Sequence, residues 1–253
     1  MMDNSRFKII SPDDLADYRN QAGDIGDASW PEFMMNDPIA NENWHELFDR
    51  FKEYQFALFD TEINRMAAMG NSLPLHWDLP LEDLPEGGWD WVFLQAIEDH
   101  KAGVKPNLQS AIQIAIHPDY QGQGLSKSMV QAMRGIAKSR GFENLVAPVR
   151  PNQKSQYPLT SIDDYIQWTS EEGLPFDAWL RVHARLGARI LKPCHAAMTI
   201  CGTRSQWEKW TGLKFPQSGQ YYIPGALNPM EMNVEKDLGS YIEPNVWMVH
   251  PLA

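Results

Sequence analysis

Apolar positions along the 253-residue chain recur with two periods, and the switch from one to the other marks out the elements. The run Ser-Ala-Ile-Gln-Ile-Ala-Ile-His at 110–117 is almost continuously apolar, as a strand covered on both faces is. After Pro118-Asp119-Tyr120 and glycines at 122 and 124, Leu125, Met129, Met133, Ile136 and Ala137 return at helical spacing. Gly141, just past Arg140, predicts the helix stop, and residues 145–149 read as the next strand. A strand, glycine turn, helix, strand unit of this kind belongs to an α/β class fold, an α+β mixed sheet with helices packed on it.

The flanks carry weaker signals. Ser11-Pro12-Asp13-Asp14 before Leu15 has an N-cap, a first-turn proline and first-turn acids, so a helix is expected to start there. Residues 54–60 and 65–69 predict two strands joined by a polar turn, and 84–100 a helix. Residues 177–186 predict a helix capped by Asp177 and closed near Gly187, followed by a strand at 196–201. Between 149 and that helix lies a long polar segment, 153–176, expected to be an insert in a compact unit. The tail, rich in Trp, Tyr, Pro and Gly, predicts short strands at 220–223 and 246–249. No repeat or low-complexity linker marks a boundary, so the expected division is a domain over 1–202 with a C-terminal extension, 203–253, packed on it. The tail's aromatic residues read as core, with a lid over a ligand or a homodimer face as the other readings.

Composition narrows the function. With 43% hydrophobic residues, 10 Trp and 10 Phe, the chain can fill a core, which excludes wholesale disorder. Its 33 acidic against 22 basic residues give a net charge of −11, so nucleic acid is not an expected partner. No run approaches the ~20 apolar residues of a membrane helix, and residues 1–12 lack a secretory apolar core, so no membrane association is expected. Cys194 and Cys201 cannot build a disulfide framework or a four-thiolate zinc site, and a cytoplasmic location follows as the expectation. His45, His76, His100, His195 and His250 lack metal-ligand spacing, so no metal is expected. There is no Gly-x-Ser-x-Gly elbow for a serine hydrolase.

The informative string is Gln121-Gly122-Gln123-Gly124-Leu125-Ser126-Lys127, lying between the buried strand and the amphipathic helix. Glycines let the backbone turn and present successive N–H groups, and the helix start adds positive partial charge, so the loop suits a phosphate or diphosphate. Residues 121–154 hold six basic side chains, Lys127, Arg134, Lys138, Arg140, Arg150 and Lys154, against Glu143 alone. A dinucleotide fingerprint needs glycine where Lys127 stands, and no Gly-Lys-Ser/Thr exists for a P-loop.

The string Ile114-Ala115-Ile116-His117-Pro118-Asp119-Tyr120-Gln121-Gly122-Gln123-Gly124-Leu125-Ser126 instead resembles motif A of the GNAT superfamily of acetyltransferases, with Ser126 in place of the usual last glycine or alanine. That resemblance implies a GNAT-like acyl-CoA fold in which Ile114, Ala115 and Ile116, with Gln121, Gly122, Gln123, Gly124, Leu125, Ser126 and Lys127, bind the coenzyme. It also implies an asparagine near the start of the helix after the fifth strand, for which Asn152 is the candidate, separated from that helix by the insert.

A second similarity, at Leu180-Arg181-Val182-His183-Ala184-Arg185-Leu186-Gly187-Ala188, sets His183 where the family often has a tyrosine serving as general acid toward the coenzyme thiolate. An imidazole with an ordinary pKa near 6.5 can take that role. His183 also shares a face with Trp179 and Leu186, and a core histidine is the other reading. An alkyl ammonium with pKa near 10.4 must lose a proton before it attacks. The central strand offers no carboxylate for that, only Ser110 and Gln113, leaving a water chain, His76 or Asp78 as candidate bases.

The segments 147–152, 173–177 and 180–183 are similar to GNAT-like domains of polyketide loading modules. Those can decarboxylate malonyl thioesters, with His183 then a proton donor and Ser110 an enolate hydrogen-bond partner, or else an ordinary strand-start hydroxyl. The expected function is an N-acyltransferase carrying the acetyl group of acetyl-CoA directly to a small-molecule amine. A decarboxylase of malonyl thioesters, with an acyl-carrier protein as partner, and a non-catalytic acyl-CoA sensor are the alternatives.

Overall fold

In the computed structural model, which describes residues 6–252, the apolar run around 112 becomes a central strand of a nine-stranded mixed sheet. In chain order the elements are β1 (Phe7–Ile10), α1 (Tyr18–Ser29), α2 (Pro38–Asn43), α3 (Glu46–Asp49), β2 (Phe56–Asp60), β3 (Arg65–Leu75), α4 (Gly88–Ala102), β4 (Leu108–Ile116) and α5 (Leu125–Ser139). There follow β5 (Asn144–Val149), α6 (Ile162–Tyr165), α7 (Ala178–Arg185), β6 (Arg189–Gly202), α8 (Arg204–Thr211), β7 (Gly219–Tyr221), β8 (Met230–Asn233) and β9 (Leu238–Pro251). The strands run β1-β2-β3-β4-β5-β9-β8-β7, with β6 on the other side of β9. Only β4 and β5 are parallel neighbours, as the helical crossover through α5 requires.

The C-terminal region contributes β9, hydrogen-bonded to β5 on one side and β6 on the other. The sequence pattern shows only four of its fourteen residues, because Glu243, Pro244 and Asn245 break the apolar run. Glu243 is fully buried but answered by Arg150 at 2.6 Å. Pro244 falls where β6 bulges between Cys194↔Asn245 and Met198↔Glu243, so its missing N–H costs no ladder bond. At the other end of the chain, Ser11 and Asp14 bond to each other at the expected N-cap, yet the cap holds a single 3-10 turn. Leu15 turns extended, and the first helix starts at Tyr18.

Strand alternation sorts side chains onto two faces. Gln109, Leu145 and His250 occupy one cross-strand row and share a face, while Ser110, Val146 and Val249 in the next row share the other. Helices α5 and α7 cover the first face, joined by a bond from Arg134 Nη1 to Leu186 O (2.9 Å). Helix α1 packs Ala22 and Ile25 on Met69 and Ala115 of the second face, where Trp247 also donates to Pro85 O at the approach to α4 (2.9 Å).

Residues 153–176 are tied down. Tyr157, Tyr165, Trp168 and Phe176 pack edge to face, and buried Lys154 donates to Tyr157 O (2.9 Å) and Leu227 O (2.8 Å).

Candidate active site

Strands β4 and β5 pair only at Gln109↔Leu145 and Ser110↔Val146, and beyond that row they part. A bulge starts the divergence: Ser72 faces Ala111 and Asn71 faces Gln113, so Ile112 is the extra residue. Trp89 Nε1 donates to Ile112 O (2.8 Å), which fixes the bulge against the first turn of α4. From the bulge to Ile116 the β5 side of β4 therefore carries no ladder pairs, and this unpaired edge leads into the glycine loop.

The loop is anchored from behind. Tyr120 donates to Asp60 Oδ2 (3.0 Å), which also takes Arg6 Nη2 (2.7 Å), and that guanidinium holds the Asp60 carboxyl below its ordinary pKa against the opposing effect of burial. Arg65 bonds both Asp119 (3.1 Å) and His117 (2.6 Å). On this base Gly122 (φ 75°) and Gly124 (φ 74°) take the left-handed conformation that glycine alone adopts without strain. Gly124 is the N-cap of α5, with no side-chain cap and no acid in the first turn, so the N–H groups of Leu125, Ser126 and Lys127 stay available to an anion.

Gln121, Gly122, Gln123, Gly124 and Lys127 are exposed, Ser126 is half-buried, and Leu125 is buried as the helix anchor. Ile114 and Ile116 are half-buried, and Ala115 is buried with its methyl under α1. An uncapped helix start leading into an open strand edge fits a diphosphate with an amide-bearing arm. Of the six basic side chains around the loop, two serve the interior: Arg150 pairs with buried Glu243, and Lys154 is enclosed by carbonyls.

His183 lies on α7, whose N-terminus Asp177 caps through Trp179 N (2.9 Å) and Leu180 N (3.1 Å). It is 3% exposed, with the Trp179 ring centroid 4.4 Å away and its Nδ1 2.8 Å from His250 Nε2. Burial, then His250, pushes its pKa down to about 3, and burial with the Arg134 charge pushes His250 down to about 4. His183 is thus a neutral imidazole at physiological pH, whereas its ordinary value had suggested a proton-exchanging group.

Ser110 is fully buried, donates to Ala111 O (3.1 Å) and extends to the face opposite His250. The structure does not bring Ser110 and His183 together on one face. Asn152 is exposed at the end of β5, and its neighbour Gln153 instead reaches α7, accepting from Ala178 N (2.7 Å). His76 and Asp78 bond at 2.7 Å beyond the end of β3, beside the start of β4 and away from the glycine loop.

Sequence reasoning missed a carboxyl pair, Asp37 and Asp90, in contact between the N-terminal turns of α2 and α4. Asp37 caps α2 just before Pro38, accepting from Ala40 N (2.7 Å), and nothing local to either residue announces the other. Among the described residues, no group of three His, Cys, Asp or Glu side chains is placed to hold a metal ion, and no helix is long and apolar enough to cross a membrane.

The fold defines a mixed α/β protein whose central parallel strands pair over two rows only, and comparison with known proteins gives the family. Residues 30–159 match the acetyltransferase (GNAT) family. The chain is 33% identical over 249 residues to the arginine N-acetyltransferase avaD of Aspergillus versicolor, covering 88% of this chain and 85% of that protein. Among solved structures it resembles the loading GNAT-like domain of CurA from Lyngbya majuscula (TM-score 0.62, 19% identity, 97% of this chain and 98% of that one). It also resembles the GphF GNAT-like decarboxylase in complex with isobutyryl-CoA (TM-score 0.55, 14% identity, 98% and 100%), and at these identities both likenesses concern the fold. The chain belongs to the GNAT family of acetyltransferases.

Proposed function

We propose that the chain transfers the acetyl group of acetyl-CoA to the amine of a small cationic acceptor of which arginine is the type. The observation that carries this reading is the continuous path from the uncapped start of α5 along the unpaired edge of β4 to the Ile112 bulge. In it the amides of residues 122–127 hold the diphosphate, and β4 pairs its free edge with the amides of the arm. Acetyl-CoA supplies an activated acyl group; the protein supplies position and hydrogen bonds. His183 stands on the coenzyme face with α5, leaving the α1 and α4 face to the acceptor.

Arginine as acceptor type is taken from the 33%-identical relative. Direct transfer is favoured over an acyl-enzyme because burial pushes the Cys194 thiol up to about 12, leaving it a poor nucleophile. Two unpaired cysteines also suit a reducing cytosol.

The test is purified protein with acetyl-CoA and a panel of arginine, lysine, agmatine and citrulline, following free thiol and product mass, with malonyl-CoA alone in parallel. Thiol release that depends on arginine and yields acetylarginine is expected. Carbon dioxide from malonyl-CoA without any amine, or saturable acetyl-CoA binding with no turnover across the panel, would overturn the transferase reading.

A further inference from the structure

Three carboxamides, Gln55, Asn71 and Gln113, follow one another across β2, β3 and β4, and their hydrogen bonds stop short at β4. Gln55 Nε2 donates to two carbonyls, Phe51 O (2.7 Å) and Ser72 O (3.0 Å), which fixes Oε1 as its accepting end. That oxygen takes Ser72 N (3.2 Å) and Asn71 Nδ2 (3.1 Å), so Asn71 is left to offer Oδ1. Asn71 is fully buried, and its Oδ1 has no donor among the described residues. Gln113 stands directly opposite Asn71 in the β3–β4 ladder. Its Oε1 also lacks a donor, and its Nε2 makes no bond among the described residues. Buried polar groups are rarely left so, and each exception calls for a reason.

Two orphaned acceptors and one idle donor leave a single economical arrangement. Side chains directly opposite on one face have Cβ atoms about 4.5–5.5 Å apart, within reach of an amide-to-amide bond. No bond ties the Gln113 head down, so turning it brings Nε2–H to Asn71 Oδ1 and leaves Oε1 facing away. The reverse orientation keeps Asn71 Oδ1 buried without a donor, which costs the desolvation of that group. The polarity set at Gln55 thus passes through Asn71, and the row ends in a bare carbonyl oxygen at Gln113.

That oxygen is where an incoming group can use it. Gln113 lies three residues past Ser110↔Val146, the last pairing of β4 and β5, and next to the Ile112 bulge that Trp89 holds. By strand alternation Asn71 and Gln113 share a face with Met69 and Ala115, which pack under α1, and this is the face opposite α5 and α7. Asn71 is sealed, but Gln113 keeps 8% of its surface exposed, so the row is open at this end alone. An acceptor with no donor of its own calls for a ligand that brings N–H groups, as an amine or guanidinium does.

We infer that Gln113 binds the acceptor, its carboxamide oxygen taking an N–H of the incoming nitrogen at the unpaired edge of β4, with Asn71 and Gln55 as positioning residues that set its polarity. This rests on the acyl-transfer reading above. Gln113 accepts a hydrogen bond and removes no proton, so it orients the nitrogen beside the bulge rather than activating it.

The test is calorimetric binding of arginine, lysine and agmatine to the CoA-bound protein, with steady-state kinetics beside it, for Gln113→Met, Gln113→Glu and Asn71→Val. Gln113→Met, similar in shape but without the carbonyl, should weaken binding of the amine and raise its KM about tenfold or more, the worth of one bond to a charged donor, with KM for acetyl-CoA little changed. Gln113→Glu can only accept, so it should hold the amine at least as tightly as the wild type does. Asn71→Val leaves Gln55 Oε1 paired with Ser72 N, and should raise KM for the amine severalfold in the wild-type background but add nothing to Gln113→Met. Equal losses in Gln113→Met and Gln113→Glu, a KM for acetyl-CoA that rises as much as that of the amine, or additive effects of Asn71→Val and Gln113→Met would overturn the inference. If Asn71→Val fails to fold, the two Gln113 variants decide. If amines bind but none is acetylated, the acyl-transfer reading fails while the contrast between the Gln113 variants still stands or falls by itself. If none of the three amines binds, the inference is overturned.

Discussion

Among the described residues Asp90 has no cation to answer its charge. Asp37 Oδ2 and Asp90 Oδ1 both lack a donor, and the two carboxyls touch, so they share one proton. Burial first, then the Asp37 charge, raises the Asp90 pKa to about 8, and burial raises Asp37 as well. In the unfolded chain Asp90 ionises near pH 4, so between about pH 4 and pH 8 the native state binds more protons. Stability should therefore fall as pH rises through that window and level off above it. Asp90→Asn keeps an acceptor for Thr199 N (3.2 Å) and gains a donor for Asp37. Its melting temperature should exceed the wild type's at pH 8 by several degrees, at about 2–4 °C per kcal/mol, and the gap should close toward pH 4.5. Parallel pH dependences in the two proteins would show that no shared proton exists.

At the scale of elements, the β4-loop-α5-β5 unit was legible because its signals are local: an apolar run, two glycines, a 3.6-residue period and a stop. What makes it a site was not. The splay of β4 from β5 depends on the Ile112 bulge, which is defined only against Asn71 and Ser72 of β3 and held by Trp89 of α4. Likewise, the state of His183 depends on β9, a strand hidden by a glutamate whose charge Arg150 neutralises from 93 residues away. Local pattern cannot report a partner that distant. For the loop the decisive variable is backbone conformation, and two glycines allow a matched comparison. Gly124 caps the start of α5 at φ 74°, and Gly103 caps the end of α4 at φ 67° with nothing within 4 Å of an added Cβ. Alanine at either costs about 1 kcal/mol of strain. Only Gly124→Ala should also weaken acetyl-CoA binding, about tenfold or more, because it moves the amides proposed to face the diphosphate. Calorimetric affinities that fall equally in both variants would remove the loop from the binding site.

Over the whole molecule the charges are unevenly spread. The chain carries −11, yet Lys127, Arg134 and Lys138 lie along α5 and Arg140 closes its far end, with Lys127 in the first turn beside the proposed diphosphate site. On the proposed reading an anionic coenzyme would meet the helix start and Lys127, while a cationic acceptor would approach a surface that is acidic overall. Attraction of the second kind is long-ranged and weakens as the Debye length shrinks from about 30 Å at 0.01 M salt to about 3 Å at 1 M. With acetyl-CoA saturating, kcat/KM for arginine should fall severalfold across that range, through KM rather than kcat. Citrulline, which has the same shape without the guanidinium charge, should lose much less if it is acetylated at all. Equal salt dependence for the two would mean that the excess of acid keeps the protein soluble without steering its acceptor. A steeper loss for arginine would assign the acidic balance a role in selecting cations, one that fold and coenzyme loop, shared across the family, cannot specify.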